Sequence, residues 1–335
     1  MCLRLAIDLR WFEILAQKSP RSTAELARLS DCDESLVVRF MRNLAPGGFV
    51  SEVGTGLFAA TSLTRALTKP HVQAGVIHWY DQSLPVLATA PSYFKKRGYR
   101  PPESSTAGPL QFANGTSLDT YQYWETLPGV IENFNTFMEG HFAGKRLSWL
   151  EWFPLKQRVI DGASPAGSSI LFVDVGGGRG HEAKAVKTEY PHAPGRIVLQ
   201  DLPHVVEDVR DNSIEVAKYN FFEPQPLQGA RAYFLSNILH NWCDEESLVI
   251  LRNLAAAMTP KYSKLLIADL ILPNTGCTDR AVGMDIGMLV LHSGTQRSQN
   301  AWKELLSKVG LTILKFWTPP GQGEGDGIIE VVKDE

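Results

Sequence analysis

From Ser168 onward the chain sets short apolar runs, ILFVDVG, RIVLQD, IEVAKYN, ARAYFLSN and KLLIADLIL, among amphipathic stretches, and this alternation constrains the fold more than any other feature. Parallel neighbouring strands need a crossover, usually helical, so such a pattern predicts a doubly wound α/β sheet with mostly parallel strands. Helices are expected from about His181 and from about Asp244. The tail adds a helical AWKELLSKVG, then LTILKFW and GIIEVVK with only a Pro/Gly-rich loop between them, a connection that allows an antiparallel final pair.

The first run ends in DVGGGRGHEAKAV, where Gly176, Gly177, Gly178 and Gly180 lie between a strand and a helix start. Open α/β sheets bind ligands beyond the carboxyl ends of their strands, and a glycine there lets backbone approach the ligand and adopt left-handed dihedrals. A dinucleotide fingerprint would read GxGxxG, with a helix N-terminus aimed at pyrophosphate. Here the spacing is GxGxG, and Asp174 stands two residues before the first glycine, an acid that would repel pyrophosphate but suit a cation. S-adenosylmethionine has a sulfonium, an α-ammonium and no phosphate, and its ribose hydroxyls want a carboxylate acceptor, which Asp201 at the end of RIVLQD would supply.

The front of the chain has different punctuation. MCLRLAIDLRWFEIL reads as one amphipathic helix with Leu5, Phe12 and Leu15 on one side. Two capped helices, starting near Ser22 or Thr23 and at Asp33, then precede two short strands around GTG, the order of a winged helix. Its second helix offers only Arg39 and Arg42 against Asp33 and Glu34, too little to neutralise several phosphates, so a structural or dimerising role is expected and not DNA binding. Residues 95–116, rich in Pro, Gly and Ser, read as a long loop, and YQYWETLPGVIENFNTFMEGHFAGKRLSWLEWF as helical, with Phe134, Phe137, Met138 and His141 near one face.

Hydrophobic residues at 44%, charged residues at 21% and a net charge of −3 predict no strong pull toward nucleic acid or anionic membrane. Cys2, Cys32, Cys243 and Cys277 are scattered and form no CxxC pair or metal-ligand spacing, which fits a reducing, cytoplasmic setting and no metal. No stretch approaches a membrane span, and Arg4, Asp8 and Arg10 interrupt the start as a signal-peptide core would not tolerate.

The ordered series VDVGGGRGHEAKAV, RIVLQDLP, YNFFEPQP, ILHNWCDEES, LLIADLILP and QRSQNAWKELL resembles the O-methyltransferases of fungal and plant secondary metabolism, of the caffeate and flavonoid type, over nearly the whole chain. The resemblance implies a class I, Rossmann-like seven-stranded domain with an antiparallel last strand, preceded by an α-helical, winged-helix-like domain used for dimerisation. It implies boundaries of 1–100 for that front domain, 101–160 for a loop and connecting helices lining a substrate pocket, and 161–335 for the domain binding S-adenosylmethionine. Asp174 with Gly176, Gly178 and Gly180 would hold the methionine end, Asp201 the ribose, and Asn220 and Phe221 the adenine, which Trp242 would cover; Leu202 and Ser236 complete that set. Asn220 stands where the family usually has Asp, and its amide oxygen could still accept from the adenine amino group.

His240 aligns with the family's catalytic histidine, and an imidazole can accept a phenol proton near neutral pH. Asp269 matches the first of its two acid escorts, whereas Gln296 stands at the second, where a neutral amide can orient a ring but cannot offset imidazolium charge. Phe134, Met138, Met288 and His292 are expected as walls of a pocket for an aromatic small molecule. Family members usually carry further N-terminal helices, so a homodimer is expected to be weakened by the short N-terminus. Other readings are a family fold turned to a pericyclic or dehydrative step with S-adenosylmethionine bound and not consumed, a non-catalytic winged-helix regulator, and an NAD-dependent dehydrogenase. His240, Asp269 and the front charge balance speak against the regulator, and the glycine spacing with Asp174 against the dehydrogenase.

Overall fold

In the computed structural model, which describes residues 1–143, 148–207, 209–321 and 325–333, seven strands form one sheet. They are β4 (Ile170–Val175), β5 (Arg196–Asp201), β6 (Glu215–Lys218), β7 (Ala232–Ser236), β8 (Lys264–Ile271), β9 (Leu311–Trp317) and β10 (Gly325–Lys333), in the spatial order β6-β5-β4-β7-β8-β10-β9. The first five pair in parallel, and β10 runs antiparallel between β8 and β9, so the expected doubly wound sheet with an antiparallel last strand is what forms. The runs are apolar without alternation because both faces are covered. Phe172, Phe234 and Leu266 pack into one buried cluster, and their neighbours Val173, Tyr233 and Leu265 into another. Strand order reverses at β4, whose two neighbours are β5 and β7, and this is where an open sheet leaves a crevice.

The chain divides into two compact units, residues 1–91 with 118–146 and residues 92–117 with 147–335. In the first unit the N-terminal stretch is two helices, Cys2–Asp8 and Trp11–Gln17, and not one, because Arg10 adopts φ 54°. Trp11, Phe12 and Leu15 are buried there with Leu26, Val37 and Met41. Ser22 caps Thr23–Ser30 in a reciprocal box with Glu25, and Asp33 caps Glu34–Leu44. β2 (Val50–Gly54) and β3 (Leu57–Ala60) form the wing around the GTG turn, with β1 (Arg21–Ser22), too short to register in the sequence, added on β3.

Two readings of the middle of the chain are corrected. Residues 95–116 are not one loop: the helix Leu84–Lys96 enters the stretch, and Pro109–Asn114 is a further helix. Gly108 precedes its first-turn Pro109 and Gly115 ends it at φ 63°, the usual Pro and Gly asymmetry of helix ends. The aromatic stretch after it is broken into Thr120–Glu125, Val130–Ala143 and Trp149–Trp152, with Gly129 at φ 75° before the second. Val130–Ala143 packs on Pro70–His78 at glycines, since a Cβ on Gly140 would lie 2.3 Å from His71. Asp279–His292 is a helix that the alternation did not bring out, its GMLVLH end being apolar without a clear stripe. Among the described residues no helix is long and apolar enough to cross a membrane.

A buried charge ties the antiparallel end of the sheet together. Glu330 on β10 is fully buried and accepts from Arg158 Nε at 3.0 Å, Trp317 Nε1 at 3.1 Å and Lys264. Burial alone would raise its carboxyl, but the hydrogen bonds from Arg158 and Lys264 outweigh it and hold the group below the usual range. Its contribution to stability is therefore present above the unfolded carboxyl pKa and is lost as pH falls through the lower folded value. Glu330→Gln is expected to destabilise by about 3–5 kcal/mol in urea unfolding at neutral pH, because two cations lose their counter-charge. An unchanged midpoint would show that the network contributes nothing.

Candidate active site

The parallel strands bring four side chains to one edge of the sheet: Asp174 near the end of β4, Asp201 at the end of β5, Ser236 at the end of β7 and Asp269 near the end of β8. The glycine turn follows Asp174 directly. Gly176, Gly178 and Gly180 have φ of 70°, 60° and 79°, a region costly for other residues, and the N–H groups of Gly176 and Gly177 donate to Gln200 O. A Cβ on Gly177 would lie 2.4 Å from the Asp174 carboxyl, and one on Gly176 would lie 2.8 Å from Ile238 and 3.5 Å from the Phe221 ring. The turn thus lies against the acid on one side and an apolar surface on the other.

Asp174 is fully buried; its Oδ2 accepts from the Ala183 N–H at 3.1 Å and its Oδ1 has no partner. Burial, with the nearby carboxylates of Glu182 and Asp201 adding to it, pushes the Asp174 carboxyl up to about 8 against the opposing Ala183 N–H. Burial also raises Asp201, whose Oδ2 accepts from Gly178 N–H and Oδ1 from Leu202 N–H, both at 2.7 Å. Glu182 is raised by burial too, while the Trp149 indole donates to it at 2.6 Å. Three acids with their charged forms disfavoured make a place that a cation would stabilise. Leu202 begins the short helix Pro203–Val206 and is 38% exposed.

Beyond β6, the Asn220 amide oxygen accepts from the Phe222 N–H at 3.1 Å, a local turn that presents Phe221. Trp242 meets Phe221 and Phe222 edge-on, at centroid distances of 5.8 and 4.8 Å. Phe222 and Ile238 were not singled out in the sequence, where they look like ordinary apolar residues, and neither was Glu182, since an acid in a first helical turn is unremarkable.

His240 sits in a 3₁₀ turn, Leu239–Asn241, after β7. Its Nδ1 lies 2.6 Å from Asp269 Oδ1, which also accepts from the Leu270 N–H at 2.8 Å. Donation from Nδ1 to this carboxylate leaves Nε2 as the acceptor nitrogen. Gln296 is buried and its amide oxygen has no hydrogen-bond partner; its N–H donates to Asp285 at 2.9 Å. Asp285, raised by burial, is thus an acid near the Gln296 position that the sequence did not bring out.

Of the expected pocket walls, Met288 and His292 are buried in the helix Asp279–His292 of the second unit. In the first unit Phe134 lies 5.3 Å from the His78 ring and 5.2 Å from Trp124, and Met138 is half-buried on the same helix. The His141 side chain lies outside the described residues.

Residues 158–312 match the model of an O-methyltransferase domain, and residues 1–70 that of an O-methyltransferase dimerisation domain. The chain is 38% identical over 333 residues to the O-methyltransferase asqD of Emericella nidulans, covering 98% of this chain and 85% of the relative. It is 30% identical to the demethylsterigmatocystin 6-O-methyltransferase of Aspergillus flavus, covering 93% and 80%. Among solved structures, LepI in complex with S-adenosylmethionine superposes with a TM-score of 0.88 at 30% identity, covering 99% of this chain and 85% of that one. A structure described as a pericyclic reaction enzyme gives a TM-score of 0.87 at 30% identity, with 99% and 86% covered.

Proposed function

The chain belongs to the S-adenosylmethionine-dependent O-methyltransferase family, and from that premise we propose that it methylates a hydroxyl, phenolic in character, on an aromatic secondary metabolite, with His240 as the general base. The observation that carries this reading is the 2.6 Å contact between His240 Nδ1 and Asp269, which directs the other ring nitrogen to accept a proton.

The residues present fit the cofactor. Asp174 has an unpartnered, fully buried carboxylate oxygen among two further acids, a field that favours a sulfonium and an ammonium over a phosphate. The glycine turn, Asp174 and Asp201 would hold its methionine and ribose parts, and Phe221, with Trp242 edge-on to it, its adenine. When bound, S-adenosylmethionine supplies an activated methyl carbon. The chain's own residues do the rest. His240 Nε2 takes the hydroxyl proton as the acceptor oxygen becomes the nucleophile, and Asp269 keeps the ring in the required tautomer and stabilises its protonated form. Gln296, being neutral, adds no such stabilisation, so Asp269 is the acid on which the ring depends.

Incubation with methyl-labelled S-adenosylmethionine and a panel of phenols tests the proposal, with label expected in an O-methyl product. Bound cofactor without transfer to any of them would overturn it. The 30% identity to a pericyclic reaction enzyme, together with Gln296, favours one second reading, a cyclisation or rearrangement with the cofactor not consumed. Product mass separates the two, because isomerisation adds no methyl group.

A further inference from the structure

The segment after the helix Asp279–His292 folds back under the turn that carries His240. Ser293 takes φ 58°, and Gly294 lies so close that a Cβ there would fall 2.0 Å from His240 O. The Thr295 N–H then donates to that same carbonyl at 3.0 Å. Arg297, two residues on, is 1% exposed and directs its guanidinium into the turn. Its Nη1 donates to Leu239 O at 2.8 Å and its Nη2 to Trp242 O at 3.0 Å and to Ser247 Oγ at 3.0 Å. Its Nε donates to Asp244 Oδ1 at 2.9 Å, and its plane lies over the Trp302 ring at 5.3 Å.

Three carbonyls of the short turn, those of Leu239, His240 and Trp242, are therefore satisfied by residues 295–297. A single 3₁₀ turn makes too few internal bonds to hold one geometry: the other donors to these carbonyls are longer, the Trp242 N–H at 3.3 Å and Ser247 Oγ at 3.4 Å to Leu239 O, and Ser247 Oγ at 3.3 Å to Trp242 O. A guanidinium is suited to this, because its planar fork offers five donors in fixed directions, whereas a lysine offers one point charge.

We propose that Arg297 is the positioning residue of this turn: it sets His240 at one end against Asp269 and Trp242 at the other against Phe221 and Phe222. The inference rests on the reading of His240 as base for its catalytic meaning, while the positioning itself is independent of turnover. A shift of the turn by about 1 Å would move both the proton acceptor and the indole against Phe221 and Phe222 out of register, a displacement that costs catalysis on the order of a hundredfold.

Hydrogen exchange of the cofactor-free protein, read by mass spectrometry, tests it. Arg297→Ala is expected to speed exchange in the peptide spanning residues 237–243 by about tenfold or more, the loss of one to two buried hydrogen bonds, with the β4 peptide unchanged. Free guanidinium ion should restore protection there and ammonium should not. Calorimetry with S-adenosylhomocysteine should show affinity about tenfold weaker. Arg297→Lys serves if the alanine variant does not fold, and should give the same local pattern at smaller amplitude. Unaltered exchange at 237–243, or acceleration spread evenly over residues 147–333, would assign Arg297 to general stability and overturn the proposal. Methyl transfer by His240→Ala decides the base reading separately, so failure of one is distinguishable from failure of the other.

Discussion

His240→Ala is expected to lower kcat for methyl transfer by about a thousandfold, close to 4 kcal/mol of barrier, while S-adenosylhomocysteine still binds. The effect is large because on the proposed reading the imidazole itself takes the proton, and the amide of Gln296 at the second escort position cannot take it in its place. Asp269→Asn should cost about a hundredfold through loss of tautomer control and of charge opposite the imidazolium. Steady-state rates on the phenol identified by label transfer, with cofactor affinity measured in parallel, make the check. Retention of full kcat in His240→Ala would remove the general base from the account and leave proximity alone.

Replacing Asp174 by Asn should move stability and cofactor binding in opposite directions. The Asp174 carboxyl is pushed up to about 8 by burial, above its unfolded value of about 3.9, so folding takes up a proton between those two values. The unfolded chain then binds fewer protons than the folded one, and stability falls as pH rises from about 4 to about 8. Asn does not ionise in either state, so Asp174→Asn is expected to stabilise the cofactor-free protein at neutral pH, on the order of a few kcal/mol, with little change near pH 3. Cation binding draws the carboxyl into its ionised form. Affinity for S-adenosylmethionine in the parent protein should therefore rise as pH approaches about 8, with a proton released on binding. In Asp174→Asn the affinity should be about ten- to a hundredfold weaker and flat with pH. Calorimetry in two buffers of different ionisation heat, paired with thermal melts, reads all of this. Equal affinity and equal pH slope in the two proteins would show that the buried acid does not sense the cofactor.

Local signals carried far in this chain. Unbroken apolar runs reported strands covered on both faces, and the glycines after Asp174 reported a left-handed strand-to-helix turn, because side-chain patterning and backbone dihedrals belong to neighbouring residues. Ser22 and Asp33 announced helix starts for the same reason. Even the missed helix Pro109–Asn114 carried legible punctuation in Gly108, Pro109 and Gly115, overlooked because the surrounding residues are loop-like in composition. The break at Arg10 had no such signal, since arginine carries no local preference for the left-handed φ it adopts before the buried Trp11 and Phe12.

Composition, periodicity and motif order were thus enough to specify a doubly wound sheet with an acid and a glycine turn at its crevice, since each of those features is written in adjacent residues. The family resemblance already paired His240 with Asp269, and folding closes that pair across 29 positions; folding alone established that Arg297 underpins the same turn from 58 positions away and that one oxygen of Asp174 is left without a partner. Burial and hydrogen-bond partners sum over neighbours remote along the chain, and no local pattern of residues encodes that sum.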